Sequence, residues 1–289
     1  MANSFSADLI ADVIVEQGMT QLQNHVPNFN LFSTDFSDET VSIQRGQGAI
    51  STIQVPLATS AATTLVNPTN KAGGDTTVIS KPVTPAHYVQ PMHLTQQQLN
   101  QGHRLSRVVN ISLSALLNRL WTAVSTNITT GNYGSPILDE TPSTVDTDDL
   151  RTIFAAIEKF GVKNLVVDAT FFAQFAVGDN KDSYDIGMSG AYGFSGWDYA
   201  SDWSAASANV NGFACSPDAI VMAARRAEYA EPLNNVVDFA TADLPNGMTI
   251  DVLQWASGDT GQVNTTLETV FGAAPGDTTA GKIIENGTA

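Results

Sequence analysis

The residues best placed to do chemistry stand near the end of the chain, where Gly276–Lys282 reads GDTTAGK and satisfies the phosphate-loop spacing G-x-x-x-x-G-K. Such a loop cradles phosphate with successive backbone amides and the positive end of a following helix, and its lysine is followed by Ser or Thr for magnesium. Here Ile283 follows Lys282 and the chain runs out at Ala289 with no room for that helix, so nucleotide binding is not expected. Three histidines, His87, His93 and His103, fall within one stretch, but at spacings of six and ten they match no compact metal-ligand template, and no second cysteine helps. Asp146, Asp148 and Asp149 could attract a cation, yet carboxylates at the positive first turn of a helix account for all three. Ser189 and Ser195 both miss the G-x-S-x-G nucleophile elbow. Cys215 has no catalytic partner marked beside it and reads as a small buried residue rather than a nucleophile. With 29 acidic residues, no pair of carboxylates is singled out for acid–base work. The residues therefore assign no catalytic, cofactor-binding or metal-ligating positions and no cofactor, and the expectation is a chain that is not an enzyme. The sequons at Asn110 and Asn264 have no use without a secretory route.

Composition narrows the partners. Lys+Arg 13 against Asp+Glu 29 gives a net charge of −16, a surface that repels phosphate and argues against sequence-specific nucleic-acid binding and against adhesion to anionic membranes. Arg225–Arg226, the one adjacent basic pair, reads as the solvated end of a helix. One cysteine excludes an internal disulfide framework and suits a reducing cytoplasm. The first basic residue is Arg45, so the sequence has neither the positive n-region of a secretory signal nor the arginines of a transit peptide. No apolar run reaches membrane-spanning length, and the chain reads as soluble and made in the cytoplasm.

The element that must organise the rest is Arg104–Ile128. Val109, Leu113, Leu116, Leu117, Leu120, Val124 and Ile128 form one helical stripe, and Asn110, Ser114, Asn118, Thr122 and Ser125 form the opposite face, in water or a polar interface. At ~1.5 Å per residue such a helix is a beam about 35 Å long. Ahead of it, Ser4–Gln17 carries a stripe of Phe5, Leu9, Ile10, Val13 and Ile14 as an N-terminal arm lying on something other than a core of its own. From Thr40 the period becomes two: Val41, Ile43, Ile50, Ile53, Val55 and Leu57 read as one side of a long ribbon, Thr77–Leu94 as its return, and Ala58–Asp75 as the tip. Pro56, Pro82, Pro85 and Pro91 block a wider sheet, and a two-stranded ribbon is not stable alone, so another subunit is expected to support it.

Beyond the beam the reading is a mixed α/β lobe. It has a helix from Asp146 or Thr147 stopped by Gly161, a buried strand Asn164–Asp168, a helical turn TFFAQF, a looser Gly178–Asn211, and a helix Ser216–Ala227 with Ser216 as cap and Pro217 at its first position. Strands Val236–Ala240, Met248–Trp255 and Val263–Phe271 follow, with turns at Asn246–Gly247 and Asp259–Gly261 and a short fourth strand at Lys282–Glu285.

This order of arm, proline-bearing ribbon, beam, α/β lobe and closing strands resembles the major capsid proteins of tailed phages with the HK97-type fold. GFACSPDAIVMAARRAEY resembles that family's helix entry, and NGMTIDVLQW with TTLETVFGAAP its closing strands. The resemblance implies an α+β capsid fold with residues 1–39 as N-terminal arm and 40–94 as an extension loop over a neighbour. It implies 95–135 with 236–289 as the peripheral domain carrying the spine helix, and 136–235 as the axial domain. It further implies a homo-oligomer of hexamers and pentamers in an icosahedral virion shell, assembled in the host cytoplasm and enclosing double-stranded DNA without sequence-specific binding or a membrane. Separate scaffolding, portal and decoration proteins are its implied partners. Some relatives cross-link a loop lysine to an asparagine; Lys71 and Lys81 lie in the loop with no partner identified. An encapsulin-like nanocompartment shell is the alternative within this fold, and a soluble α/β hydrolase the alternative outside it.

Overall fold

The computed structural model describes residues 6–15, 29–43, 52–60, 77–92, 105–157, 161–177, 193–229, 236–244, 246–256 and 263–287. His93, His103, Ser189, Lys71 and the turn expected at Asp259–Gly261 lie outside them. The fold is mixed α+β, with few helices and a majority of strands.

Helix α1 (residues 7–15) buries Ala7, Ile10, Ala11 and Ile14, and the Ala7 amide donates to the Asp238 carboxylate at 2.7 Å. The buried stripe is rotated from the expected one, since Leu9 is exposed. Alanines let this short helix sit close, and it is packed in the main core of its own chain. Strands β1 (Ser33–Ile43), β2 (Ile53–Ser60), β3 (Thr77–Val83) and β4 (Ala86–Met92) follow. Helix α2 (Leu105–Ser125) buries every apolar residue of its expected stripe, adds Trp121, and ends on the Ile128 turn. Ser125, expected on the polar face, is fully buried and satisfied by the Thr122 carbonyl at 3.3 Å.

A one-turn α3 (Thr130–Tyr133) and β5 (Leu138–Asp139) lead into α4 (Thr147–Ala156). Of the two expected caps, Asp146 and Thr147, it is Asp146 that caps α4: its carboxylate accepts from the Asp148 and Asp149 amides, while the Asp149 carboxylate accepts from the Asp146 amide at 2.8 Å. Next come β6 (Asn164–Val167), α5 (Ala169–Val177), β7 (Gly196–Tyr199) and β8 (Val210–Cys215). The last five strands are β9 (Ile220–Tyr229), β10 (Val236–Asp243), β11 (Thr249–Ala256), β12 (Val263–Pro275) and β13 (Gly281–Glu285). Gly247 turns the β10–β11 hairpin at φ +84°, a conformation that costs a residue without Cβ nothing.

Three expectations are corrected here. Ser216–Ala227 is not a helix: only Pro217–Ala219 makes a helical turn, without a side-chain cap, and β9 follows. Val221, Met222, Ala223 and Ala224 are all buried, so the strand is covered on both faces, which removes the alternation that marks a strand and leaves a pattern readable as helical. Arg225 and Arg226, expected at a solvated helix end, stand inside that strand. Second, the described strands of the expected ribbon do not form one ladder. Only β2 and β3 pair with each other, Ile53↔Val83 through Ser60↔Thr77. β1 runs parallel to β9 and β4 antiparallel to β12 inside the main sheet. Third, β13 does not extend the closing strands; it joins the other sheet beside β8 and β5.

The main sheet runs β1–β9–β12–β11–β10, with β4 also on β12. Its inner face, with Ile250, Val252, Leu267 and Phe271, packs on α1 and α2. The second sheet, β5–β13–β8–β6–β7, is buried on both sides. Leu165, Val167, Ala214 and Ile284 face α4 and α5, while Val166, Phe213, Cys215 and Ile283 join the main core. Tyr133 ties the two sheets together: its hydroxyl donates to the Ala219 carbonyl at 2.7 Å and its ring packs on Phe213.

Candidate functional site

None of the sequence's chemical motifs assembles into a reaction centre among the described residues. In GDTTAGK the amides that would bind phosphate donate to protein: Gly276 to the Ala219 carbonyl and Asp277 to the Asp218 carbonyl, both at 2.8 Å, and Thr279 to the Asp277 carboxylate at 2.9 Å. Lys282 lies on a strand. The Asp146 and Asp149 carboxylates are spent on the α4 cap, and the Asp148 carboxylate pairs with Arg151 at 2.7 Å. His87 Nε2 meets Glu268 at 3.1 Å, and Glu268 also accepts from the Thr266 hydroxyl at 2.7 Å. No group of three His, Cys, Asp or Glu suited to a metal occurs among the described residues. Cys215 is fully buried on β8, and burial holds its thiol pKa far above the ordinary value. That is a packed thiol, not a nucleophile.

What the fold does present is a set of surfaces. The first is the β2–β3 hairpin. Its base is held by its own chain: Val55, Leu57 and Val83 are buried against Val221 and Ala223 on the outer face of the main sheet. Gly272 permits this, because a Cβ there would come within 2.8 Å of both the Pro85 backbone and the Val83 side chain. The expectation that another subunit supports this region is thus corrected for its described parts; residues 61–76, the tip, lie outside them. A cleft of about 230 Å³ follows the seam, lined by Leu57, Ile79, Lys81, Asp218 and Asp277.

The second surface is the β10 side of the main sheet, at the edge of its described strands, where Val237 and Phe239 of β10 and Trp255 of β11 are exposed, at 58%, 47% and 39%. Arg226 lies over the Phe239 ring at 5.7 Å and bonds Asp251 at 3.1 Å and Thr241 at 2.8 Å. Burial raises the Asp251 pKa, with Arg226 opposing. The third is the outer side of α2, with Arg107, Ile111, Ala115 and Arg119 exposed at four-residue steps. Sequence reading of the buried stripe passed over these four, although their absence from the apolar pattern marks them. No helix among the described residues is long and apolar enough to cross a membrane.

No family model and no curated protein matches the chain. Solved structures do. A virus-like particle from Pyrococcus furiosus aligns over 96% of this chain and 98% of its own at 8% identity and TM-score 0.52. The capsid of an empty GTA particle aligns over 90% and 89% at 11% identity and TM-score 0.52. The capsid of Cyanophage P-SCSP1u aligns over 90% and 87% at 12% identity and TM-score 0.47. The chain has the fold of capsid-shell subunits, in keeping with its resemblance to tailed-phage major capsid proteins of the HK97 type.

Proposed function

We propose that this chain is a structural, non-enzymatic subunit that self-assembles into the icosahedral head shell of a tailed bacteriophage enclosing double-stranded DNA. The observation that carries the reading is the end-to-end correspondence of its fold with particle-forming chains, over nearly the full length of both. In this reading residues 1–39 form the arm and 40–94 the extension loop, of which β2–β3 is the projecting part. Residues 95–135 with 236–289 form the peripheral domain, and 136–235 the axial domain. The exposed apolar end of the main sheet suits burial against a neighbour, because monomers rarely leave such side chains together in water. Hexamers and pentamers, a portal, and scaffolding or decoration proteins complete the assembly, in the cytoplasm of a host.

A second reading is supported by the particle from Pyrococcus furiosus: an encapsulin-like compartment shell of the same fold. Electron microscopy of the purified chain, alone and with the products of neighbouring reading frames, tests both. Closed or partial shells are expected. Nuclease-protected duplex DNA inside supports the phage reading, protein cargo supports the compartment, and a monomer under every condition overturns both.

A further inference from the structure

The carboxylates are unevenly distributed along the chain. Between Asp75 and Asp139 there is no Asp or Glu, while the same stretch holds Lys81, Arg104, Arg107, Arg119 and three of the four histidines. The rest of the chain therefore sets nine basic residues against twenty-nine acidic ones. The fold displays part of this acid-free stretch as one surface, the outer arc of α2. Arg107, Ile111, Ala115 and Arg119 point outward, with Ile111 64% exposed, and Asn110, Ser114, Asn118 and Thr122 flank them half-buried.

The arginines of this arc differ from the other described ones. Arg151, Arg225 and Arg226 each pair with an aspartate. Among the described residues Arg107 and Arg119 have no carboxylate partner, and Arg119 stands near the Tyr88 phenol. Among the described residues, then, two arginines without a carboxylate partner occupy positions ~18 Å apart along one helix. Over that length a duplex carries about ten phosphate charges. Subunits of net charge −16 around a polyanion repel it strongly unless their least acidic surface faces it.

We infer that the outer arc of α2 contacts the phosphate backbone of the enclosed duplex DNA without regard to sequence, and so lines the lumen of the shell. The inference rests on the shell reading above and adds that Arg107 and Arg119 are the residues that meet the phosphates. Each subunit contributes only two contacts, and the effect is multiplied by the many copies that share one DNA molecule.

The test uses unassembled full-length chain and a short mixed-sequence duplex DNA, read by fluorescence anisotropy between ~25 and ~150 mM salt. Loss of two phosphate contacts in the double variant Arg107→Gln/Arg119→Gln should weaken binding roughly tenfold at the low-salt end and flatten the log–log salt slope by about 2. The variant Arg151→Gln/Lys282→Gln removes the same charge elsewhere and should match wild type. Equal loss in both variants, or no binding by wild type, overturns the phosphate contact. The lumen assignment is read separately with Ile111→Cys and a bulky maleimide, since Cys215 is buried and silent. Free subunits should label and closed particles should not; labelling of closed particles at the subunit rate overturns it. Wild-type particles with unaltered DNA binding by the Arg107→Gln/Arg119→Gln variant sink this inference and leave the shell standing. Absence of particles under all conditions sinks the shell reading and the lumen assignment with it. If that variant binds DNA like wild type but no longer assembles, the arc is a contact for the acidic surface of a second copy, and the inference fails.

Discussion

Whether the β2–β3 hairpin is held by its own chain can be measured before any assembly. The perturbation is Val83→Ala. Val83 is fully buried, packed with Val55 and Leu57 onto Val221 and Ala223, and its Cγ1 closes over Gly272. Removing two methyl groups at ~0.8 kcal/mol each, with a small residual cavity, should loosen the hairpin by about 2 kcal/mol. Local opening scales exponentially, so amides of β2 and β3 should exchange about thirtyfold faster with deuterium, while amides at the centre of β12 change far less. Hydrogen exchange read by mass spectrometry, on subunits kept below the assembly concentration, resolves the two regions. Hairpin amides already unprotected in wild-type subunits, or protected only after assembly, would refute the reasoning and return the hairpin's support to a neighbour.

Other expectations follow from the same contacts. Asp146→Ala removes the side-chain half of the α4 capping box, leaving the Asp149 carboxylate on the residue-146 amide, and should cost about 1 kcal/mol, read as a lower urea midpoint without a change in slope. Asp35→Ala strips the buried Arg225 guanidinium of its 2.8 Å partner and should cost more, about 2 kcal/mol after allowance for the partly exposed carboxylate; a neutral result by thermal denaturation would contradict it. Cys215 should resist aromatic disulfide reagents at mild alkaline pH and react only at the rate of unfolding. Asp251 has a raised folded-state pKa, so its contribution to stability is complete below its ordinary value of 3.8 and is lost as pH rises through the folded value. Wild type should therefore lose stability relative to Asp251→Asn over that rise, and parallel pH profiles would refute the shift.

The amino-acid order by itself determined the features that depend on local periodicity and capping. α2 was legible because a long amphipathic stripe repeats at one period, and α4 because Asp146 or Thr147 could cap it and Asp148 and Asp149 suit its first turn ahead of Leu150 and Ile153. β6, β10, β11 and β12 were legible from runs of branched residues bounded by turn residues, Gly247 among them. The refusal to assign chemistry to GDTTAGK also came from the residues, and the amide pairing at Gly276 and Asp277 shows where those donors go.

Tertiary structure alone decided what each extended segment pairs with. β1 and β4 carry the same period-two text whether they pair with each other or with β9 and β12, because register is a property of two strands and period a property of one. It also decided that Ile220–Tyr229 is a strand: a strand buried on both faces loses the alternation that would identify it. Nor does a run of 63 acid-free residues reveal a surface until a helix turns Arg107 and Arg119 outward together, because charge acts through distance in space and not along the chain.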